Sequence, residues 1–241
     1  MNGDKIMRTI EHQWYRFLAE IMKKGEVHTK DNGDKIYEIM GNHALISNPC
    51  GFNNIITSDK FLDLMRTGAY DIDGYPMSAD ALYSYVSSLQ FGSSDFVYSY
   101  PERLCLMKTV TREDEIVTCN QLKVMYERLK MNKGSNRSVA TLYNCGLDYE
   151  EEDIPCLNWI QATIRHNKLM LHVMFRSNDC YGAFPANMLF ITDIGLVLLE
   201  ELKKDYPSLV FEGINYNSTS LHVYESDEPQ VRKLLKNKGY L

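Results

Sequence analysis

Residues 185–204 place the strongest constraint on the fold of this chain. Read as a helix, they are apolar on nearly every side, and their apolar residues include Met188, Leu189, Ile191, Leu196, Leu198 and Leu199. A helix with one apolar stripe can lie on a protein surface, whereas one that is apolar all round has to be enclosed by other elements. We therefore predict a long, deeply buried helix, with Glu200 and Glu201 marking its exposed end.

The rest of the chain alternates between strand-like and helical patterns. Residues 157–164 and 169–175 are strand-like, and the four residues from Arg165 to Lys168 between them are typical of a hairpin turn, which makes these strands antiparallel. Together with the buried helix, the pattern predicts an α/β protein of the α+β type. The other strand-like segments are 35–40, 43–47, 138–143 and 208–224, and the other helical segments are 9–24, 58–67, 78–88, 120–131 and 228–237.

Composition limits the domain organisation and the partners. The 241 residues are 44% hydrophobic and contain no repeat or linker, so we predict a single domain over residues 1–241. The net charge of −6 gives no basic field, and we expect no nucleic-acid partner. A small anion held by a few local cations remains compatible with this charge.

The six cysteines are scattered, with no spacing typical of a metal site, so we expect reduced thiols and no bound metal. The first ten residues are polar, and no apolar run is long enough to cross a bilayer. We therefore expect a cytoplasmic protein without membrane contact.

Cys156 is the first candidate for chemistry, because it follows Pro155 at the start of a predicted strand, where a thiol can project into a cleft. Roughly four in five free cysteines are unreactive, buried hydrophobes, so position alone does not establish a nucleophile. Arg176 lies on the returning strand of the hairpin, where it can stabilise a thiolate or bind a phosphate through two hydrogen bonds. The alternative for Arg176 is an ordinary surface ion pair.

Several motifs, taken in order, carry a resemblance to a known family. The chain resembles the thymidylate synthases and the phage-type deoxycytidylate hydroxymethylases, and the motif that ends at Tyr224 is closest to the hydroxymethylases. This resemblance implies a thymidylate synthase-like fold with a mixed sheet. The matching motifs are Pro155-Cys156, Arg176-Ser177-Asn178-Asp179, Asn187 and Ser220-Leu221-His222-Val223-Tyr224, with Glu38-Ile39-Met40-Gly41, Asn120-Gln121-Leu122 and Ser135-Asn136-Arg137 before them.

The resemblance implies roles for these residues. The Cys156 thiolate would add to C6 of a pyrimidine nucleoside monophosphate, which makes C5 nucleophilic towards the one-carbon unit of 5,10-methylenetetrahydrofolate. Arg176 and Ser177 would bind the 5′-phosphate. Asp179 would contact the folate ring or ordered water. His222 and Tyr224 would hold a sugar hydroxyl, unless they are simply partly buried strand residues.

The base and the proton transfers are assigned to three more residues by the same resemblance. Asn187 would read the base and favours uracil, although a flipped amide also pairs with cytosine, and an ordinary helix N-cap is the structural alternative. Tyr98 would assist proton removal from C5. Asp63 would stand where the family has a general-acid glutamate, but it is one methylene shorter, and an exposed helix carboxylate is the alternative.

The resemblance also implies a homodimer, in which Arg137 binds the phosphate of the neighbouring subunit. Asn32 and Asn136 occupy positions that are basic in the family, and Lys35 is a candidate to compensate. The residues after Tyr224 show no match to the segment that closes over folate. Two hypotheses therefore remain: an enzyme that makes a methyl- or hydroxymethyl-pyrimidine nucleotide, or a nucleotide-binding or partner-binding protein that has lost the transfer.

Overall fold

The computed structural model describes residues 9–47, 49, 57–91 and 99–241, without the side chains of residues 89–91. Its elements follow one another as α1 (Ile10–Lys24), β1 (Glu26–Thr29), β2 (Lys35–Ile46), α2 (Ser58–Arg66), α3 (Ala79–Phe91), α4 (Tyr100–Cys105), β3 (Met107–Val110), β4 (Ile116–Cys119), α5 (Gln121–Met131), β5 (Val139–Thr141), α6 (Cys145–Asp148), β6 (Leu157–Arg165), β7 (Lys168–Asp179), α7 (Phe184–Lys203), β8 (Val210–Tyr224), a 3-10 turn (Glu225–Asp227) and α8 (Glu228–Asn237).

Six strands form one mixed sheet in the order β1-β2-β8-β7-β6-β5. The β7–β8 pair is parallel and its neighbours are antiparallel. Helix α7 makes the connection between β7 and β8, as a parallel pair requires a long crossover. The predicted α+β fold class with a mixed sheet is confirmed.

Helix α7 lies in the core, as its all-round apolar pattern predicts. Sixteen of its 20 residues are buried. Gly195 lets the helix approach the sheet closely, because a Cβ atom built there would lie 2.5 Å from the ring of Phe211 on β8. Gly195 therefore allows a short spacing between α7 and the sheet at β8.

The predicted hairpin between β6 and β7 is confirmed. His166 and Asn167 have φ angles of 50° and 60°, the left-handed values of a tight two-residue turn, and Arg165 pairs with Lys168. The predicted break between strands 35–40 and 43–47 is wrong. Gly41 adopts a φ of +68° and β2 continues through it, because β8 pairs with both halves.

Other elements were not predicted. The hairpin of β3 and β4 has mostly exposed residues, so it lacks the apolar alternation that marks a half-buried strand. Helix α2 begins at Ser58, as predicted, and the side chain of Thr57 before it accepts the capping hydrogen bond. Among the described residues, no helix has the length and apolarity needed to cross a membrane.

Candidate active site

The parallel pairing of β7 with β8 brings distant polar motifs together. Ser177 lies opposite Ser220, and Asp179 lies opposite His222. On the other side of β8, Glu38 of β2 lies opposite His222. Three strands thus present polar side chains at one end of the sheet.

Cys156 lies beside this cluster and Arg176 holds its loop. The backbone N–H of Arg176 donates to the carbonyl of Cys156 at 2.9 Å. The guanidinium folds back over the loop, where Nη2 donates to the carbonyl of Ile154 at 2.7 Å and Nε donates to that of Pro155 at 3.3 Å. Among the described residues Arg176 has no carboxylate partner, so the surface ion pair is wrong. A guanidinium has five N–H donors, and those left over are available to an anion beside the thiol.

Tyr100 is a neighbour of Cys156 that the sequence did not single out. Its hydroxyl accepts the backbone N–H of Leu157, the residue after Cys156, at 3.3 Å. The predicted tyrosine, Tyr98, lies outside the described residues. The two tyrosines are two positions apart in one motif, so a shift of two residues in the match would have selected Tyr100.

His222 is 3% exposed and neutral at pH 7, because burial, followed by the charges of Lys30 and Arg176, lowers its pKa to about 4. Its Nδ1 lies 3.5 Å from the hydroxyl oxygens of both Ser177 and Ser220. Its Nε2 is buried and has no hydrogen-bond partner within the described residues. The imidazole therefore keeps one ring nitrogen available for a ligand.

Lys30 is a second cation at this site, and the sequence did not reveal it. Its Nζ donates to the Tyr224 hydroxyl at 2.9 Å and lies 5.0 Å from the centre of the same ring. Asn32, in the same turn, bonds instead to Asp34, and Lys35 is exposed. Lys30 thus supplies a positive charge in the turn where Asn32 lacks one.

Asn187 belongs to α7 but does not cap it. The N-cap is Ala183, and the backbone N–H of Asn187 already donates to Ala183 within the helix, so the capping alternative is wrong. The buried amide accepts from the Tyr85 hydroxyl at 2.6 Å and donates to Asn178 at 3.0 Å. Asn178 in turn donates to Tyr216 at 3.2 Å. One donor and one acceptor of the Asn187 amide remain for a ligand.

Residues 87–240, more than half of the chain, match the family model of thymidylate synthase. The chain belongs to the thymidylate synthase family. Relatives that carry the name "Putative thymidylate synthase" match nearly the whole length. The protein from Methanococcoides burtonii is 29% identical over 231 residues, 95% of this chain and 93% of its own. The protein from Methanothermobacter marburgensis is 28% identical over 234 residues, 95% and 96% of the two chains. The protein from Methanocaldococcus jannaschii is 29% identical over 223 residues, 90% and 88%.

Thymidylate synthase family proteins act on pyrimidine nucleoside monophosphates and generally use methylenetetrahydrofolate. Membership therefore supports a transferase that moves a one-carbon unit to a pyrimidine. The closer likeness to the phage-type hydroxymethylases stays a prediction.

In this thymidylate synthase family member, Asp179 lies at the turn that leads into α7. Burial is the main cause that raises its pKa to about 6, against the opposing hydrogen bonds from the backbone N–H groups of Gly182 and Tyr181. The half-buried Tyr181 ring stacks against Trp14 beside it, with ring centres 6.2 Å apart. The carboxyl group of Asp179, a hydrogen-bond acceptor, thus lies next to an aromatic residue whose ring packs against Trp14.

Asp63 and Arg137 are not part of the cluster around Cys156. Asp63 is exposed on α2 and forms an ion pair with Arg66 at 2.5 Å. Arg137 is exposed and lies near the far end of β6. It precedes Ser138, whose carbonyl accepts a hydrogen bond from the backbone N–H of Ala162 on β6. Seven strand residues at about 3.3 Å each place Arg137 roughly 20 Å from Cys156. Within the described residues, no three His, Cys, Asp or Glu side chains cluster as metal ligands.

Proposed function

We propose that this chain transfers a one-carbon unit to C5 of a pyrimidine nucleoside monophosphate through a bond between Cys156 and C6 of the base. One observation carries the proposal: Arg176 is anchored on the carbonyls of the Cys156 loop and has no carboxylate partner in the described chain. This arrangement leaves a guanidinium, with donors to spare, on the loop that carries the half-buried Cys156.

The proposed step begins with the thiolate of Cys156. Its sulfur forms a bond to C6, and the electron pair of the C5–C6 double bond moves to C5 and O4, which makes C5 nucleophilic. After C5 has gained its substituent, it loses its proton, the double bond re-forms and the bond from sulfur to C6 breaks. Cys156 is thereby regenerated.

Tyr100 is our candidate to receive the C5 proton. Its hydroxyl oxygen lies 3.3 Å from the backbone nitrogen of Leu157, the residue after Cys156, and this position supports the role of general base. Tyr98 was the sequence-based candidate, and it remains one because its position is not described. Asp63, exposed on α2 and paired with Arg66, remains the proposed general acid.

The remaining site residues would bind the nucleotide. Arg176 and Ser177 are proposed for the 5′-phosphate, with His222 and Tyr224 for a sugar hydroxyl. The Asn187 amide, held by Tyr85 and Asn178, keeps one N–H and one oxygen lone pair, which complement O4 and N3–H of uracil. Uridylate is therefore the preferred substrate, and cytidylate is the alternative.

Methylenetetrahydrofolate fits the surroundings of Asp179. A pterin ring carries N–H donors on a flat aromatic frame, and Asp179 offers a carboxyl acceptor beside the half-buried ring of Tyr181. When bound, the folate supplies the one-carbon unit. The residues of the chain would orient the ring and control the entry of water. Water that reaches the new one-carbon group on C5 would give a hydroxymethyl product, whereas a hydride supplied by the folate would give a methyl product.

A homodimer is part of the proposal, because Arg137 is too far from Cys156 of its own chain to meet the same phosphate. Arg165 strengthens the idea: its Nη2 donates to Asn136 at 2.6 Å, so a second exposed guanidinium lies beside Arg137. The two cations would reach the phosphate of the neighbouring subunit. We propose that residues 1–241 form one such subunit as a single cytoplasmic domain.

The test is a mass assay. Purified protein is incubated with methylenetetrahydrofolate and UMP, dUMP, CMP or dCMP, and a product heavier by a methyl or a hydroxymethyl group is expected from at least one of them. The Cys156→Ser variant should make none, whereas Cys145→Ser, which changes an exposed cysteine, should keep wild-type activity. Unmodified nucleotide in all four reactions, with intact Cys156, would refute the transfer.

A second candidate function is nucleotide binding without transfer. The exposed position of Asp63 and its ion pair with Arg66 favour it, because an exposed carboxylate paired with an arginine is poorly placed to donate a proton inside a cleft. Release of tritium from C5-labelled nucleotide separates the two functions. Release that depends on Cys156 contradicts the binding protein, and binding without release supports it.

A further inference from the structure

A charged residue fixes the hydrogen bonding on each side of the site, reaching His222 through Ser220 and Tyr224 directly. A carboxylate can only accept hydrogen bonds, and an ammonium group can only donate them. Glu38 contacts the His222 side of the site through Ser220, and Lys30 contacts Tyr224. The direction of each hydrogen bond follows from these charges.

On the His222 side, the hydroxyl of Ser220 donates its single proton to Glu38. Ser220 therefore faces Nδ1 of His222 with a lone pair and can only accept from it. Ser177 also faces Nδ1, and it can accept as well if its own proton goes to a bound anion. Both contacts are satisfied when Nδ1 carries the proton of the neutral ring. Nε2 is then an acceptor, and it is the buried atom without a partner.

On the Tyr224 side, the ammonium of Lys30 donates to the phenol oxygen at 2.9 Å. The proton of Tyr224 must point elsewhere, so the phenol is a donor towards the site. The two rings lie edge to face, with centres 5.3 Å apart. An acceptor and a donor therefore stand next to each other.

We propose that Glu38, acting through Ser220, and Lys30 are positioning residues that set His222 as acceptor and Tyr224 as donor for one hydroxyl group of the bound sugar. A hydroxyl matches this pair because it has one proton for Nε2 and a lone pair for the phenol. The inference deepens the proposed function and rests on it for the identity of the ligand. The part of the inference that concerns which nitrogen of His222 is protonated does not depend on the proposed function, because that protonation is already present in the free protein.

The first test uses the free protein. A long-range proton–nitrogen correlation spectrum of 15N-labelled protein at pH 7 shows which ring nitrogen carries hydrogen, and the His222→Gln variant assigns the signals. We expect hydrogen on Nδ1. In Glu38→Ala the proton of Ser220 is released towards Nδ1, so hydrogen should shift to Nε2. Glu212→Ala, which changes a carboxylate on β8 paired with Lys168, is the control and should leave the spectrum unchanged. Hydrogen on Nε2 in the wild type overturns the proposal.

The second test measures binding of UMP, dUMP and the 2′,3′-dideoxy analogue by calorimetry. Loss of both hydroxyls should weaken binding about tenfold, as expected for two lost hydrogen bonds. In Glu38→Ala and Lys30→Met the preference for hydroxyl-bearing nucleotides should nearly vanish. Equal affinity of the wild type for the three nucleotides overturns the proposal. If Lys30→Met weakens the binding of all three nucleotides by the same factor, the positioning role of Lys30 is overturned. If no nucleotide binds, the proposed function fails, and the spectrum alone decides the role of Glu38.

Discussion

Substitution of Asp193 by asparagine should change how the stability of this protein depends on pH. Asp193 lies on α7 with 0% exposure. Its Oδ1 accepts the hydroxyl of Ser58, and its Oδ2 has no partner within the described residues. Burial is the main cause that raises its pKa from 3.8 to about 6, and the negative charges of Glu200 and Asp59 add to it.

The magnitude follows from the two pKa values. Between pH 3.8 and about 6 the folded protein keeps a proton on Asp193 that the unfolded chain has released, so the free energy of unfolding falls as the pH rises. The full difference is about 3 kcal/mol and is reached above pH 7. Asparagine removes the charge and keeps an oxygen to accept from Ser58. The stability of Asp193→Asn relative to wild type should therefore increase by about 2.5 kcal/mol between pH 4 and pH 7.5.

Urea unfolding followed by circular dichroism at several pH values measures this difference. Asp71→Asn, which changes an exposed carboxylate between α2 and α3, is the matched control and should show less than about 0.5 kcal/mol of pH dependence relative to wild type. A constant difference between Asp193→Asn and wild type, or one that grows towards acid, would show that the buried carboxyl is not protonated in the folded state.

Three further predictions concern the proposed active site. Tyr100→Phe should slow tritium release from C5 by about a hundredfold and leave nucleotide affinity within about twofold, and an unchanged rate would exclude Tyr100 as the base. Asn187→Asp should move the ratio of UMP to CMP affinity about tenfold towards cytosine, because a carboxylate accepts from the cytosine amine but cannot donate to O4, and a constant ratio in calorimetry would contradict this. Arg176→Lys should weaken nucleotide binding about tenfold and slow alkylation of Cys156 by iodoacetamide, since lysine cannot hold two carbonyls and an anion together. The control for Arg176→Lys is Arg112→Lys, which changes an exposed arginine. Equal nucleotide affinity and an equal alkylation rate in the two variants would be evidence against the role of Arg176.

The elements that the sequence predicted well are those in which one local property decides. The apolar surface of α7 leaves no solvent-facing side, and the turn at His166 and Asn167 requires left-handed residues, so both follow from short stretches of chain. Cys156 and Arg176 were also found together, because a hairpin fixes which residues return beside each other.

The contacts that the sequence missed depend on long-range strand register. Glu38 meets Ser220 because β2 and β8 pair in one register, and the two residues are 182 positions apart. Lys30 reaches Tyr224 across 194 positions. Neither separation leaves a periodic signal in the sequence, since register is fixed only when buried faces are matched. The resemblance to the family indicated Asn32 and Lys35 instead.

The parallel pairing of β7 with β8 also has a consequence for how the protein matures. Cys156 and Arg176 emerge from the ribosome before His222 and Tyr224, which follow only after α7 has been made and has crossed back over the sheet. Contacts of such separation form late, because loop closure must precede them. A nucleotide that requires both β7 and β8 would stabilise only a chain in which these strands have paired, so it would protect newly made protein from proteolysis after that step and not before.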